Sequence, residues 1–350
     1  MERKLASIQR IDSLLPIEGA DFVVAARVLG WTCVVRKDWF QPRDLCVFFE
    51  IDSVLPPNPV WDDIVGKYSH RIRSQKFRGV ISQGFAIPLS MIGGDCNPET
   101  CIGRPGHLCQ PDLLEVDDDL TTMLGIQKWE PQESNGSGGK NVHRVRTFPS
   151  FIPKTEEIRA QSCPSLLEEL FGKPYYISVK MDGTSFTAYS DEEALHVCSR
   201  NNEVKDDDND YWNVARKYNL EEILGDNPYI AIQGEMCGPG FQKNRLGLRE
   251  PDLYIFNIYN IRNGTYYNFD EFCKFCHDNR LQTVPIEETG EEFRYSLEDL
   301  LVKADGTYKN TNNNREGIVI RSRENVYSSI LKGRTSFKVI SNRYLLKNDM

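Results

Sequence analysis

From Pro174 to Ser190 the chain reads PYYISVKMDGTSFTAYS, with apolar and polar positions alternating on either side of Met181-Asp182-Gly183-Thr184. Alternation with a period of two marks a strand, and the central four residues have the chemistry of a tight turn, so the pattern predicts a hairpin. On its first strand Tyr176, Ser178 and Lys180 share one face, and Tyr175, Ile177 and Val179 the other. A lysine therefore ends a well-patterned strand, with an aspartate two residues further on.

The same reading along the rest of the chain predicts a mixed protein. Before residue 125 the runs DFVVAARVLGWTCVVRK, DLCVFFEIDSVLP and GVISQGFAIPLS are cut by Gly, Asp and Pro, which predicts a small β-barrel. PQESNGSGGKNVHR, residues 131–144, is polar and Gly/Ser-rich, the composition of a linker. Beyond it, TEEIRAQSCPSLLEELF, NDYWNVARKYNLEEIL and NFDEFCKFCHDNRLQ have helical spacing, while NPYIAIQGEMCG, DLYIFNIYNI and REGIVIRS are strand-like. The expected organisation is a barrel over residues 1–130, a linker over 131–147 and an α+β domain over 148–350.

Bulk composition narrows the class. At 350 residues, with 40% hydrophobic and 27% charged positions, the chain is a globular protein with room for two domains. A net charge of -9 argues against general coating of nucleic acid, yet leaves room for a local basic groove. KYSHRIRSQKFR supplies one, with Lys67, Arg71, Arg73, Lys76 and Arg78, no acid, and Tyr68 and Phe77 interleaved. Cations suit phosphates and ring faces suit bases; the rival reading is a solvated loop. No apolar h-region follows Met1-Glu2-Arg3-Lys4 and no run is long enough to span a bilayer, so an intracellular protein without a membrane partner is expected. Most of the ten cysteines read as small buried residues. CKFCH matches haem attachment by letter but has helix-face spacing, and Cys96, Cys101, His107 and Cys109 fit no common zinc module, so no metal is expected there.

The strand-end lysine is the candidate for chemistry. A lysine nucleophile must first lose its proton, and near neutrality roughly one in a few thousand is unprotonated at the ordinary pKa. A neighbouring cation, a metal ion or burial lowers that value. GSGGKN lacks the hydroxyl residue of a phosphate-binding loop, and GEMCGPG is no dinucleotide fingerprint. Downstream strand-like runs offer the groups such a site needs: Glu235, Glu316 and Lys338.

This constellation resembles the covalent nucleotidyltransferase superfamily, whose nucleophile motif Lys-x-Asp-Gly is matched by Lys180 to Gly183. Arg200 in CSRN, Glu235 in QGEMCG, Phe256 in LYIFNIY, Glu316 in REGIVI and Lys338 in FKVIS follow in the family's order. DNA ligases and capping enzymes usually carry an OB barrel after this domain; here the barrel comes first and twelve residues follow Lys338. That order, with the segments RKLASI, GWTCVV, VFFEIDS, SQGFAIP, LGIQKWEP and FPSFIPKT, resembles the fifth family of ATP-dependent RNA ligases. The resemblance implies an α+β fold, an N-terminal OB-fold barrel followed by an ATP-grasp-like nucleotidyltransferase domain.

It also implies ATP and Mg²⁺ or Mn²⁺, a lysyl-AMP intermediate on Lys180, and RNA with 3′-OH and 5′-phosphate ends, chiefly nicks in duplexes, sealed by a monomer. Lys338 would contact the α-phosphate and depress the pKa of Lys180. Arg200 and Glu235 would hold the ribose, Phe256 would stack on adenine, and Lys154 would line the pocket. Asp182, Glu235 and Glu316 would organise the metal, and Arg71, Arg73, Lys76 and Arg78 would grip RNA. Two departures stand out: the Cys96–Cys109 loop, and the absence of a second lysine after Lys338, for which Arg321, Lys332 and Arg334 are the substitute cations. The rival readings are a DNA ligase, a GTP-dependent capping transferase and an inactive RNA-binding scaffold.

Overall fold

The computed structural model describes residues 3–57, 70–92, 114–129, 142–191 and 193–348. Lys67, Tyr68, the Cys96–Cys109 loop and most of the expected linker lie outside the described residues. The chain divides into two compact units, one of Met1–Pro131 with Gln161–Pro164 and Leu345–Met350, the other of Gln132–Ala160 with Ser165–Tyr344. No described helix is long and apolar enough to cross a membrane.

The first unit is built from short antiparallel strands, as the punctuation in the sequence predicts. Ala6–Arg10, Leu45–Phe49 and Phe85–Pro88 form one sheet; Ser13–Pro16, Val23–Val28 and Trp31–Arg36 form another. Leu5, Ile8, Val47, Phe49, Ile87, Leu120 and Leu124 make a common core. Gln75–Phe77 pairs with Val80–Ser82 around Arg78-Gly79, whose φ angles of 45° and 88° are those of a tight two-residue hairpin turn. Arg78, Lys76 and Phe77 are therefore displayed at an exposed hairpin end.

The second unit holds two larger sheets. A seven-stranded sheet runs Arg144–Thr147, Asn202–Val204, Leu195–Cys198, Thr184–Ser190, Ile230–Cys237, Asp252–Asn260, Thr265–Tyr266. A five-stranded sheet runs Ile158–Arg159, Ser336–Ile340, Gly317–Ser322, Tyr175–Lys180, Ile286–Gly290. Helices Asp210–Lys217, Leu220–Asp226 and Phe269–Asp278 bury Tyr211, Trp212, Leu224, Phe272 and Cys276 against Phe186, Ile232 and Ile255 of the larger sheet. The run around Tyr211 makes two helices because Asn219 takes a left-handed φ of 53°, a conformation Asn tolerates. TEEIRAQSCPSLLEELF is α-helical only from Ser165 to Leu170, with a single 3-10 turn at Ala160–Ser162; Ile158–Arg159 instead pairs in parallel with Ser336–Ile340.

One expectation is corrected. The strands flanking Met181-Asp182-Gly183 are not a hairpin: Tyr175–Lys180 lies in the five-stranded sheet and Thr184–Ser190 in the seven-stranded one. The first pairs with Gly317–Ser322 and Ile286–Gly290, the second with Ile230–Cys237 and Leu195–Cys198. The connection is thus a corner between sheets. At Gly183 an added Cβ would lie 2.3 Å from the carbonyl oxygen of Met236, so the glycine is required by close backbone approach. Being a central strand, Tyr175–Val179 is buried on both faces, which alternation alone does not reveal.

Candidate active site

Strand register assembles the site. Lys180 is opposite Gly317, and the next row on the same face is Ser178, Val319, Lys338 and Arg159 across four strands. Cross-strand partners point the same way, so Lys180, Lys338 and Arg159 stand on one face of the five-stranded sheet. A further row on that face, Tyr176, Arg321 and Ser336, continues the polar character. Gly317 permits this packing, because a Cβ there would sit 2.1 Å from the carbonyl oxygen of Val339.

Lys180 Nζ donates to Glu316 Oε2 at 2.6 Å, with both side chains about one-fifth exposed. From the other sheet comes Glu235, opposite Ser185, and the Gly183 amide hydrogen-bonds to its carboxylate. Burial, with the charges of Glu316 and Asp182, pushes the Glu235 carboxyl up to about 7 despite the attraction of Lys180. Burial also opposes charge on Lys180, but Glu316, Glu235 and Asp182 outweigh it and raise its pKa. Lys338 moves the other way, down to about 7, through burial and then repulsion from Lys180 and Arg159. The expected division is therefore inverted in the protein alone. The two lysines repel as anticipated, but three carboxylates keep the proton on Lys180 and the depression falls on Lys338.

Asp182 is buried and fully engaged. Arg245 Nε donates to its Oδ2 at 2.6 Å, and the Tyr344 hydroxyl donates to its Oδ1 at 3.1 Å. Arg245 also lies over the Tyr344 ring, 4.9 Å from the centroid. The turn is held on its other side by Gln242, whose amide reaches the Gly183 carbonyl at 3.3 Å. Tyr308, 5% exposed, donates from its hydroxyl to the Lys180 carbonyl at 2.9 Å and accepts the Glu316 amide at 3.2 Å. None of Arg245, Tyr308, Tyr344 or Arg159 follows from the sequence pattern. They sit in loops, at a helix start or in a two-residue strand, where no periodicity marks them; the one available signal was that a buried Asp182 needs a cation.

Phe256 is the extra residue of a β-bulge: Gln233 pairs with Asn257 and Gly234 with Ile255, leaving Phe256 between them. Bulges re-aim side chains, and this one packs Phe256 against the cluster of Val179, Met181, Tyr254 and Tyr308. Arg321 lies 5.5 Å from its ring centroid and donates to Glu157 at 2.7 Å and to Ser336 at 3.1 Å. Arg334 donates to Asn257 at 2.7 Å. Of the substitute cations, Arg321 and Arg334 are thus committed inside the protein and Lys332 is exposed; the arginine in the row with Lys338 is Arg159, which was not among them. Arg200 pairs with Glu156 at 3.0 Å and Lys154 with Asn201 at 3.0 Å, both at the exposed edge. In the first unit Arg71 bonds Asp52 at 2.8 Å and stacks 3.4 Å from the Trp129 centroid, and Arg73 is half-buried; Lys76 and Arg78 are exposed.

The arrangement supplies an amine at a rigid strand end, a second cation on the same face, acidic oxygens around both and an aromatic ring aimed by a bulge. Among the described residues no group of three His, Cys, Asp or Glu side chains is placed to hold a metal ion by itself. Glu235 and Glu316 are hard oxygen donors of the kind that bind Mg²⁺ or Mn²⁺ together with phosphate oxygens and water.

No curated protein sequence matches the chain. A family model described as RNA ligase matches residues 173–340, and one described as an OB-fold domain matches residues 5–89. Among solved structures, an apo mutant of Naegleria gruberi RNA ligase is 33% identical, with all of both chains covered and a TM-score of 0.85. A mutant of the same enzyme with ATP and Mn is 32% identical over 99% of each chain, at 0.86. The enzyme with PPi is 33% identical over 99% of each chain, at 0.83. With an OB-fold match ahead of the ligase match and a 33% identical solved structure covered over its full length, the chain belongs to the RNA ligase family.

Proposed function

We propose that the chain is an ATP-dependent ligase that joins RNA ends through a lysyl-AMP intermediate, with Lys180 as nucleophile. The observation that carries this is the amine of Lys180 at the sheet corner, paired with Glu316 and sharing a face with Lys338. The ligands named for the Naegleria structures, ATP with Mn and PPi, are a substrate with its metal and a product of such a first step.

Lys180 Nζ loses a proton and attacks the α-phosphorus of ATP; a P–N bond forms as the P–O bond to pyrophosphate breaks. AMP then passes from Lys180 to the 5′-phosphate of an RNA end. The 3′-hydroxyl of the other end attacks that phosphate, sealing the strand and releasing AMP. All three steps are phosphoryl transfers, where positioning and charge neutralisation dominate. Glu235 and Glu316 would hold a divalent ion, which when bound would supply positive charge against the phosphates. Lys338, on the same sheet face as Lys180, disfavours a second positive charge there and so favours the neutral amine. Lys338 and Arg159 meet the phosphates, Phe256 stacks on the base, and Arg200 and Lys154 close the sugar and base edge. Asp182, with both oxygens occupied, serves by fixing the corner and adding charge. The substrate is RNA with 3′-OH and 5′-phosphate ends, nicked duplexes first, acted on by one copy of the chain inside the cell.

The test is incubation of the purified protein with Mg²⁺ and α-labelled ATP or GTP. ATP labels the protein, GTP does not, and Lys180→Met removes the label while leaving the thermal transition in place. Label retained by the Lys180→Met protein overturns the assignment of the nucleophile.

A further inference from the structure

Lys180 has a long side chain with four rotatable bonds, so accurate attack depends on how firmly its own backbone is anchored. Strand pairing with Gly317–Ser322 holds it as far as the Lys180–Gly317 pair. Immediately beyond that pair the ladder is interrupted by a side chain, the hydroxyl of Tyr308. A phenol has one hydrogen to give and lone pairs to accept with, and both capacities are used, on the Lys180 carbonyl and the Glu316 amide.

The loop that carries Tyr308 also reaches the other end of the Lys180-Met181-Asp182 tripeptide. Tyr308 N–H bonds the Asn313 carbonyl at 3.1 Å, and the Asn313 amide donates to the Arg245 carbonyl at 2.7 Å. Arg245 in turn holds Asp182. One loop thus fixes the main chain of Lys180 directly and the side chain of Asp182 through one intermediary. The ring of Tyr308 packs with Val179, Met181, Cys237 and Tyr254, so the hydroxyl is delivered from a rigid platform.

We infer that the Tyr308 hydroxyl is a positioning group for lysine adenylylation, locking Lys180 and its ion-pair partner Glu316 in register where the two strands part. The inference rests on Lys180 being the nucleophile. An error of about 1 Å in the attacking group can slow a reaction a hundredfold, and loss of one of several anchors allows a smaller displacement. Tyr308→Phe keeps the ring and removes only the bridge.

The experiment uses the full chain and follows transfer of labelled AMP to the protein in a single turnover, alongside sealing of RNA already carrying a 5′-adenylate. In that second reaction Lys180 is not the nucleophile. Tyr308→Phe is expected to lower the rate constant of self-adenylylation about tenfold. KM for ATP should stay within about twofold, the amplitude and thermal transition near wild type, and sealing of adenylylated RNA unchanged. Replacing Tyr308 with 4-aminophenylalanine, which keeps a polar N–H at the ring end, should restore most of the rate. A wild-type rate constant in Tyr308→Phe overturns the inference. So does an equal loss in both reactions, or a protein that no longer folds, since either assigns the hydroxyl to general integrity. Label persisting in Lys180→Met sinks the nucleophile itself and is read independently of any Tyr308 variant.

Discussion

The corner at Lys180 and the basic run at Arg71–Arg78 are both rich in charge, and they use it in opposite ways. At the corner nearly every charge is spent on another protein group: Lys180 on Glu316, Asp182 on Arg245, Glu157 on Arg321. Along the basic run commitment fades with position, from Arg71 locked between Asp52 and Trp129 to Lys76 and Arg78 exposed at a hairpin end. Counting cations treats the two alike. What separates them is desolvation: a charge removed from water must be paired, whereas one left in water can wait for a ligand.

Four measurements press on that contrast. Removing Arg245 strands Asp182 in a buried site, so Arg245→Met should lose about 3–5 kcal/mol of stability by urea denaturation. A change below 1 kcal/mol would place Asp182 in water and dissolve the comparison. Lys338→Ala leaves the fold standing and should slow self-adenylylation about a hundredfold to a thousandfold, as loss of an electrostatic stabiliser does.

Glu157 gives the pH test. Burial opposes its charge, but the charge and hydrogen bond of Arg321, aided by Arg334 and Ser336, hold it down to about 2 from 4.5. The fold thus favours the carboxylate form. That contribution is complete above about pH 4.5 and disappears as pH falls through about 2, amounting to about 3 kcal/mol. Stability against pH for Glu157→Gln should therefore be flatter than wild type between those limits. A parallel pair of curves would deny the coupling. The smallest stability effect belongs to the hairpin end, where Lys76→Gln with Arg78→Gln should change stability by less than about 0.5 kcal/mol. RNA binding should weaken, and its log–log salt slope should fall by about 1.5, if both cations meet phosphates. An unchanged slope removes them from the RNA contact.

Much of this was legible in the sequence because charge at the end of an apolar strand is rare and therefore informative. Lys180, Glu235, Glu316 and Lys338 each flank or interrupt such a run, and alternation correctly gave Lys180 the face of Tyr176 and Ser178. Three features were not legible, for different reasons. The corner looks like a hairpin because a tight turn and a change of sheet call for the same small and polar residues; the strands' partners in separate sheets, and the Met236 carbonyl pressed against Gly183, distinguish them. The bulge at Phe256 shifts a single residue inside the mostly apolar run Leu253–Tyr259, where one polar residue, Asn257, is too little for periodicity to register. Arg71 reads as a free cation until the fold brings Asp52 to it, nineteen positions away in the chain. Pairing across such distances belongs to tertiary structure.

The change of sheet at Gly183 also bears on the order in which the protein comes together. Lys180 takes its place from the five-stranded sheet, Glu235 from the seven-stranded one, and Glu316 and Lys338 lie more than a hundred residues further along the chain. Contacts of such long sequence separation form late, after loop-closure entropy has been met. A chain still emerging during synthesis, or a fragment lacking its last strands, therefore holds Lys180 before Glu316 and Lys338 can join it. If Lys180 is the nucleophile proposed above, nucleotide capture by this protein would report that folding has finished.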